Sequence, residues 1–175
     1  MSTSRIKLLS GGWFDYLDME QSQYTMEDLS KSLSKLCRFN GHVEKPYYVS
    51  QHCVLVSHIV PEKYALHGLV HDLAESVMGD MPSPLKMLQP SFKKLELKVE
   101  KHMFEKMGIS MPLPKSIKLA DLQVLAAEIR DLQPQSSDWF MVADIEPYAK
   151  KIVPWSSEKA HREFMKRYKE LTENK

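Results

Sequence analysis

The stretch His71, Asp72, Leu73, Ala74, Glu75 sets an imidazole beside a carboxylate and follows them with a second acid. A helix advances about 100° per residue, so Glu75 falls about 40° from His71 and about 60° from Asp72, and all three face one side. Gly68, four residues before Asp72, shares that side. An interior helical glycine costs about 1 kcal/mol against alanine, which suggests that another backbone or a ligand comes close there. A neutral imidazole and a carboxylate are natural ligands for a divalent transition metal, but two ligands do not hold one tightly. His52 and Asp121 are the best further candidates, because each sits in an apolar stretch where an unpartnered charge is costly. Taken singly, each has an ordinary explanation: a histidine in an apolar stripe is usually a hydrogen-bonded core group, and an aspartate early in a helix is usually a cap or a surface group. The four together carry the argument.

A His, then an adjacent His and Asp, then a distant Asp, all on helices: this sequence resembles the HD-domain metal-dependent phosphohydrolases. The closer likeness is to the branch holding bacterial 5'-deoxynucleotidases and phage dATP triphosphohydrolases. It rests on RFNGH (38 to 42), YYVSQH (47 to 52), LVHDLAESVMGDMPSPLK (69 to 86) and IKLADLQVLAAE (117 to 128), and spans roughly residues 8 to 132. The resemblance implies an all-α, compact HD-domain helical bundle. It also implies that His52, His71, Asp72 and Asp121 hold a divalent transition metal (Zn, Co or Mn), with open positions for water and a phosphate oxygen. Glu75 and Asp80 match the acids that position or deprotonate the attacking water, or that hold a second divalent ion (Mg or Mn); the other reading of Asp80 is a turn residue in GDMPSP. Arg38 matches a phosphate-contacting arginine and Phe39 an aromatic that stacks on the base, although without the likeness Arg38 reads as an ordinary helix-end cation. Lys86 and Lys118 match lysines that neutralise a phosphate chain. His42 is a substrate-facing candidate with the opposite reading left open.

The activity so implied is hydrolysis of a deoxynucleotide at the α-phosphate. Arg38, Lys86 and Lys118 supply more positive charge than a monophosphate needs, which favours dATP cleaved to deoxyadenosine and triphosphate. The alternatives are a 5'-deoxynucleotidase acting on deoxynucleoside monophosphates and a non-catalytic nucleotide-binding module; the intact ligand set speaks against the latter. Di-iron oxygenases and cyclic dinucleotide phosphodiesterases of this fold need further histidines before the last Asp, and only His102 lies there, reading as solvated. His67 lacks the HExxH glutamate and reads as a group behind the ligands or as packing, while His58 and His161 belong to no constellation.

The elements that must position these residues read as helices throughout. Thr25 with Asp28 forms a capping-box variant opening a helix that should end near Asn40 and Gly41. Further helices are expected from about Tyr47 to Val60, Glu62 to Met78, Pro90 to Gly108, Pro114 through Ile129, and from Ser156 or Ser157 onward. Residues 1 to 24 read as an irregular arm whose Trp13 and Phe14 form part of a nucleobase wall or, the favoured reading, pack the arm down, no segment shows convincing strand alternation, and 131 to 154 reads as a loop region or a short helix. Residues 1 to 175 are expected to form one domain.

Composition sets the outer limits. The 175 residues are 43% hydrophobic, enough for a proper core, and 24 basic against 23 acidic residues leave a net charge of +1, which disfavours nucleic-acid or membrane binding by bulk charge. The run Lys93, Lys94, Lys98, Lys101 is diluted by Glu96, Glu100 and Glu105 and reads as a solvated face. Cys37 and Cys53 form no CxxC pair, and no signal peptide or membrane span is evident, so a cytoplasmic protein is expected, in the host cytoplasm if phage-encoded. Homo-oligomers, dimer or higher, are expected through the Met-rich fourth helix or the C-terminal one.

Overall fold

The computed structural model describes residues 4–133 and 142–173. It is an all-α bundle with one small sheet, and it opens on two strands, β1 (Arg5–Lys7) and β2 (Trp13–Asp15), paired antiparallel with Ile6 opposite Phe14. The arm is therefore more ordered than its sequence suggests; three-residue strands are too short to show alternation. Phe14 is fully buried, which agrees with packing.

The helices are α1 (Met26–Leu33), α2 (Val49–Ile59), α3 (Ala65–Val70), α4 (Glu75–Met78), α5 (Ser83–Met87), α6 (Pro90–Lys106), α7 (Lys115–Leu132) and α8 (Ser157–Glu173). The capping box opens α1, with Thr25 Oγ1 accepting from the Asp28 amide at 3.2 Å and the Asp28 carboxylate accepting from the Thr25 amide at 3.1 Å. This helix stops at Leu33, well short of Asn40. Residues Arg38–Gly41 form a 3-10 turn in which Phe39 (φ 57°) and Asn40 (φ 49°) are left-handed, a conformation that no right-handed helix passes through. The Arg38 amide donates to the Tyr47 carbonyl and the Val49 amide to the Leu36 carbonyl, so the chain folds back on the entry to α2.

The expected helix from Glu62 to Met78 is also divided. After α3 the amides of Leu73, Glu75, Ser76 and Val77 donate to carbonyls three residues earlier, the tighter 3-10 pattern. At three residues per turn Glu75 stands directly over Asp72 instead of about 60° away. Gly68 serves backbone approach: a Cβ there would lie 3.0 Å from Val60 Cγ2 and 3.2 Å from Ser57 Cα, so α3 lies hard against α2.

Helix α2 is the hub, packed by α3, α7 and α8. One apolar cluster joins Phe14, Leu29, Leu69, Met103 and Phe164, and a second joins Tyr47, Val56, Ile117, Val124 and Ala127. The apolar face of α8, proposed for self-association, is spent inside the chain: Ala160 and Phe164 are fully buried and α8 packs on α1, α2 and α3. Part of the 131–154 region, residues 134–141, lies outside the described residues. Its far end runs back over α7 and α2, with the Tyr148 amide donating to the Gln123 carbonyl and Ile152 buried in the second cluster. His102 is buried as well, against the expectation of a solvated residue. Its Nδ1 lies 3.2 Å from Glu20 Oε1 and its ring edges toward Phe14 and Tyr24, because the arm covers this face of α6.

Candidate active site

Three elements bring four side chains to one point. His52 comes from α2, His71 and Asp72 from the 3-10 turn after α3, and Asp121 from α7. His52 Nε2 lies 3.3 Å from His71 Nε2, 3.3 Å from Asp121 Oδ1 and 3.6 Å from Asp72 Oδ2, while His71 Nε2 lies 3.2 Å from Asp72 Oδ2. One ligand atom each from His52, His71 and Asp72 falls within a 4.8 Å span. Each imidazole is held from behind: His52 Nδ1 lies 2.7 Å from Glu128 Oε1, and His71 Nδ1 lies 2.8 Å from the Gly68 carbonyl. With Nδ1 of each ring turned to an acceptor, both Nε2 atoms face the carboxylates and are the ones that would bind a metal ion. Two imidazole nitrogens and two carboxylate oxygens, with outer acceptors in place, are a donor set that fits a divalent transition ion.

The charges are strongly interdependent. Burial opposes ionisation of His71, but the Asp72 carboxylate outweighs it and holds the imidazole pKa well above its ordinary value. Burial likewise opposes the charge on Asp121, yet hydrogen bonding from His52 keeps this acid well below the usual range. Glu75 behaves oppositely: burial, then the Asp72 and Asp80 carboxylates, push it well above that range. Its Oε2 is buried with no hydrogen-bond partner among the described residues. Burial also raises Asp80.

These groups open into a cavity of about 190 Å³ whose walls include Arg38, Phe39, Asp72, Glu75, Asp80, Pro82, Lys86, Lys118 and Asp121. Arg38 is placed by the left-handed turn at Phe39, with its guanidinium carbon 5.7 Å from the Phe39 ring centre. Both lysines reach the cavity, but each is paired: Lys86 Nζ lies 2.7 Å from Glu96 Oε1 on α6, and Lys118 Nζ lies 2.8 Å from Asp121 Oδ2. His42 does not line this cavity. It is exposed, at the end of the 3-10 turn, and its carbonyl accepts from Gln133 Nε2 at 3.3 Å. The turn that presents Arg38 and Phe39 carries His42 outward.

Two residues of the site escape a reading of the motifs. Glu128 sits wholly buried between His52 and Arg38, and Glu96 anchors Lys86. Glu128 had a signal: it follows Asp121 by two helical turns in an otherwise apolar stretch, LAAEI, where an unpaired acid would be costly. Glu96, in a lysine- and glutamate-rich helix, had none.

An all-α frame carrying an adjacent His and Asp beside a further His and Asp defines an HD-domain phosphohydrolase, an enzyme class. A family model described as 5'-deoxynucleotidase YfbR-like matches residues 27–174, and the chain belongs to that family. Over 172 residues, 97% of each chain, it is 36% identical to the uncharacterized protein YfdR of Escherichia coli. A stretch of 44 residues, 23% of each chain, is 46% identical to the 5'-deoxynucleotidase PBPRA2627 of Photobacterium profundum. Among the described residues no helix is long and apolar enough to cross a membrane.

Proposed function

We propose that this enzyme is a 5'-deoxynucleotidase that hydrolyses deoxynucleoside 5'-monophosphates to deoxynucleoside and phosphate. Membership of the YfbR-like family supports this reading, and the charge state of the cavity carries the choice of monophosphate over triphosphate. Lys86 and Lys118, the lysines that favoured dATP, already neutralise Glu96 and Asp121. A triphosphate would have to share both with carboxylates.

In this reading His52, His71, Asp72 and Asp121 hold a Zn, Co or Mn ion. When bound, such an ion supplies a Lewis acid that draws charge from a phosphoryl oxygen and acidifies water. Arg38 binds the phosphate and sets its orientation. Glu75, with a buried oxygen that no described residue satisfies, accepts the proton of the attacking water, and Asp80 orients that water; the same two acids are where a second ion, Mg or Mn, would be held. Phe39 packs on the sugar and base.

The test is to incubate metal-supplemented protein separately with dAMP, dTMP, dATP and AMP and to resolve the products by chromatography. Deoxyadenosine with orthophosphate from dAMP supports the proposal. Intact triphosphate released from dATP, with dAMP untouched, overturns it in favour of a triphosphohydrolase. No turnover of any of the four with metal demonstrably bound also overturns it and leaves a binding module.

A further inference from the structure

We infer that Glu128 is a positioning residue that couples the metal ligand His52 to the phosphate-binding Arg38, one carboxylate oxygen serving each. The inference rests on the roles proposed above for those two side chains. Glu128 lies on α7 with no exposed surface. Its Oε1 accepts from His52 Nδ1 at 2.7 Å, and its Oε2 accepts from Arg38 Nε at 3.0 Å and lies 3.0 Å from Arg38 Nη2.

The chemistry of the three groups makes a carboxylate necessary at this point. His52 Nδ1 must donate if Nε2 is to offer its lone pair to a metal ion held with Asp72 and Asp121, and a guanidinium offers donors only. Glu128 therefore faces donors on both sides, which an ionised carboxylate satisfies because it accepts everywhere. Holding Nε and Nη2 together fixes the plane of the guanidinium. Its Nη1 is left on the Asp72 side, 3.9 Å from Asp72 Oδ2 at the cavity wall. One buried side chain thus sets both the tautomer of a ligand and the orientation of the phosphate-binding fork.

Glutamine separates this role from filling space. It has nearly the shape of glutamate but only one acceptor oxygen, and its amide nitrogen must face a donor. Facing Arg38, it repels the guanidinium. Facing His52, it drives the ring to the other tautomer, with a proton on Nε2 where the metal belongs. Aspartate keeps the acceptors but is one methylene short, so it restores part of the function. A buried acid with a merely structural role would alter the melting temperature without touching ligand affinities.

The experiment titrates apoprotein with Co²⁺, followed by calorimetry and the visible absorption of the bound ion, and measures kcat and KM for dAMP. The proteins are wild type, H52A, E128Q, E128D and, as a buried aliphatic control on the same helix, I129V. E128Q should weaken Co²⁺ binding about 10- to 100-fold and raise KM, E128D should recover part of both, and I129V should change neither. Wild-type Co²⁺ affinity and KM in E128Q would overturn the inference, whatever happens to its melting temperature. If E128Q does not fold, nitrogen-15 spectra of histidine-labelled, zinc-loaded wild type decide: a proton on Nδ1 of His52 supports the inference and one on Nε2 overturns it. H52A that binds Co²⁺ as tightly as wild type sinks the metal-site reading itself, whereas H52A losing Co²⁺ while E128Q retains it sinks only the coupling.

Discussion

Gly68→Ala probes how the packing of two helices sets the geometry of the centre. The new Cβ would lie 3.0 Å from Val60 Cγ2, 3.2 Å from Ser57 Cα and 3.3 Å from Ser57 N. The valine methyl yields by a small rotation, but the two Ser57 atoms are main chain, so α3 and α2 must part by a few tenths of an ångström. Overpacking of this kind costs about 1–3 kcal/mol, and alanine returns about 1 kcal/mol of helix propensity, leaving a net loss of about 0–2 kcal/mol. For a chain of this size that lowers the melting temperature by up to about 8 °C. The same displacement reaches the site, because His71 Nδ1 is anchored on the Gly68 carbonyl and His71 Nε2 faces His52 across the α2–α3 contact. Urea unfolding of the apoprotein and a Co²⁺ titration should therefore fall together, with loss of stability and of affinity. A variant about 1 kcal/mol more stable than wild type with unchanged Co²⁺ affinity would refute the reasoning, since it would mean that the contact is loose and the glycine only a propensity defect.

Glu75→Gln should lower kcat for dAMP by about 10²–10⁴-fold while Co²⁺ affinity stays at the wild-type value, as measured by steady-state kinetics and calorimetry; retained turnover removes Glu75 from the chemistry. Asp15 accepts from Arg5 Nε at 2.8 Å and from Ser4 Oγ at 2.7 Å, and the arginine foremost holds its pKa well below the usual carboxylate range. A folded pKa below the unfolded value of about 4 gives stability that is present above pH 4 and is lost as pH falls through the folded value. Asp15→Asn should therefore melt lower than wild type at pH 7, with the difference shrinking on acidification below pH 4; an equal difference at pH 3 and pH 7 counts against the pairing. Burial, then the neighbouring Glu96, pushes Glu100 up to about 7. Here the folded pKa lies above the unfolded one of about 4, so stability is lost as pH rises from about 4 through 7 and the loss levels off above that. Glu100→Gln should melt higher than wild type at pH 8 and match it near pH 4, and thermal scans across that range check both.

The helices with long apolar stripes were readable because burial of one face imposes a 3.6-residue repeat on the residues themselves. For the same reason α2, α6, α7 and α8 lie close to their expected places, and the capping box of α1 needed only two side chains three residues apart. His52, His71, Asp72 and Asp121 could be singled out because each places an ionisable group where the surrounding pattern calls for an apolar one. The family, too, could be recognised from the motifs around them.

Other features depend on contacts distant in sequence and leave no local trace. The chain after Leu33 leaves the helix because residues 36 to 38 pair with the entry to α2, and this reversal aims Arg38 and Phe39 into the cavity while turning His42 to solvent. Asp72 and Glu75 stand in one line because the backbone tightens between α3 and α4, which apolar periodicity does not report. Lys86 reads as free positive charge until Glu96, ten residues away on another helix, is seen to hold it, whereas Lys118 and Asp121 lie within one helical turn. Glu128 joins His52, 76 residues away, to Arg38, 90 residues away. Residue type and helical repeat are properties of a short segment and survive in the sequence. The partner of a charge is chosen only when packing brings distant segments together, and that choice decides which cations remain for the substrate.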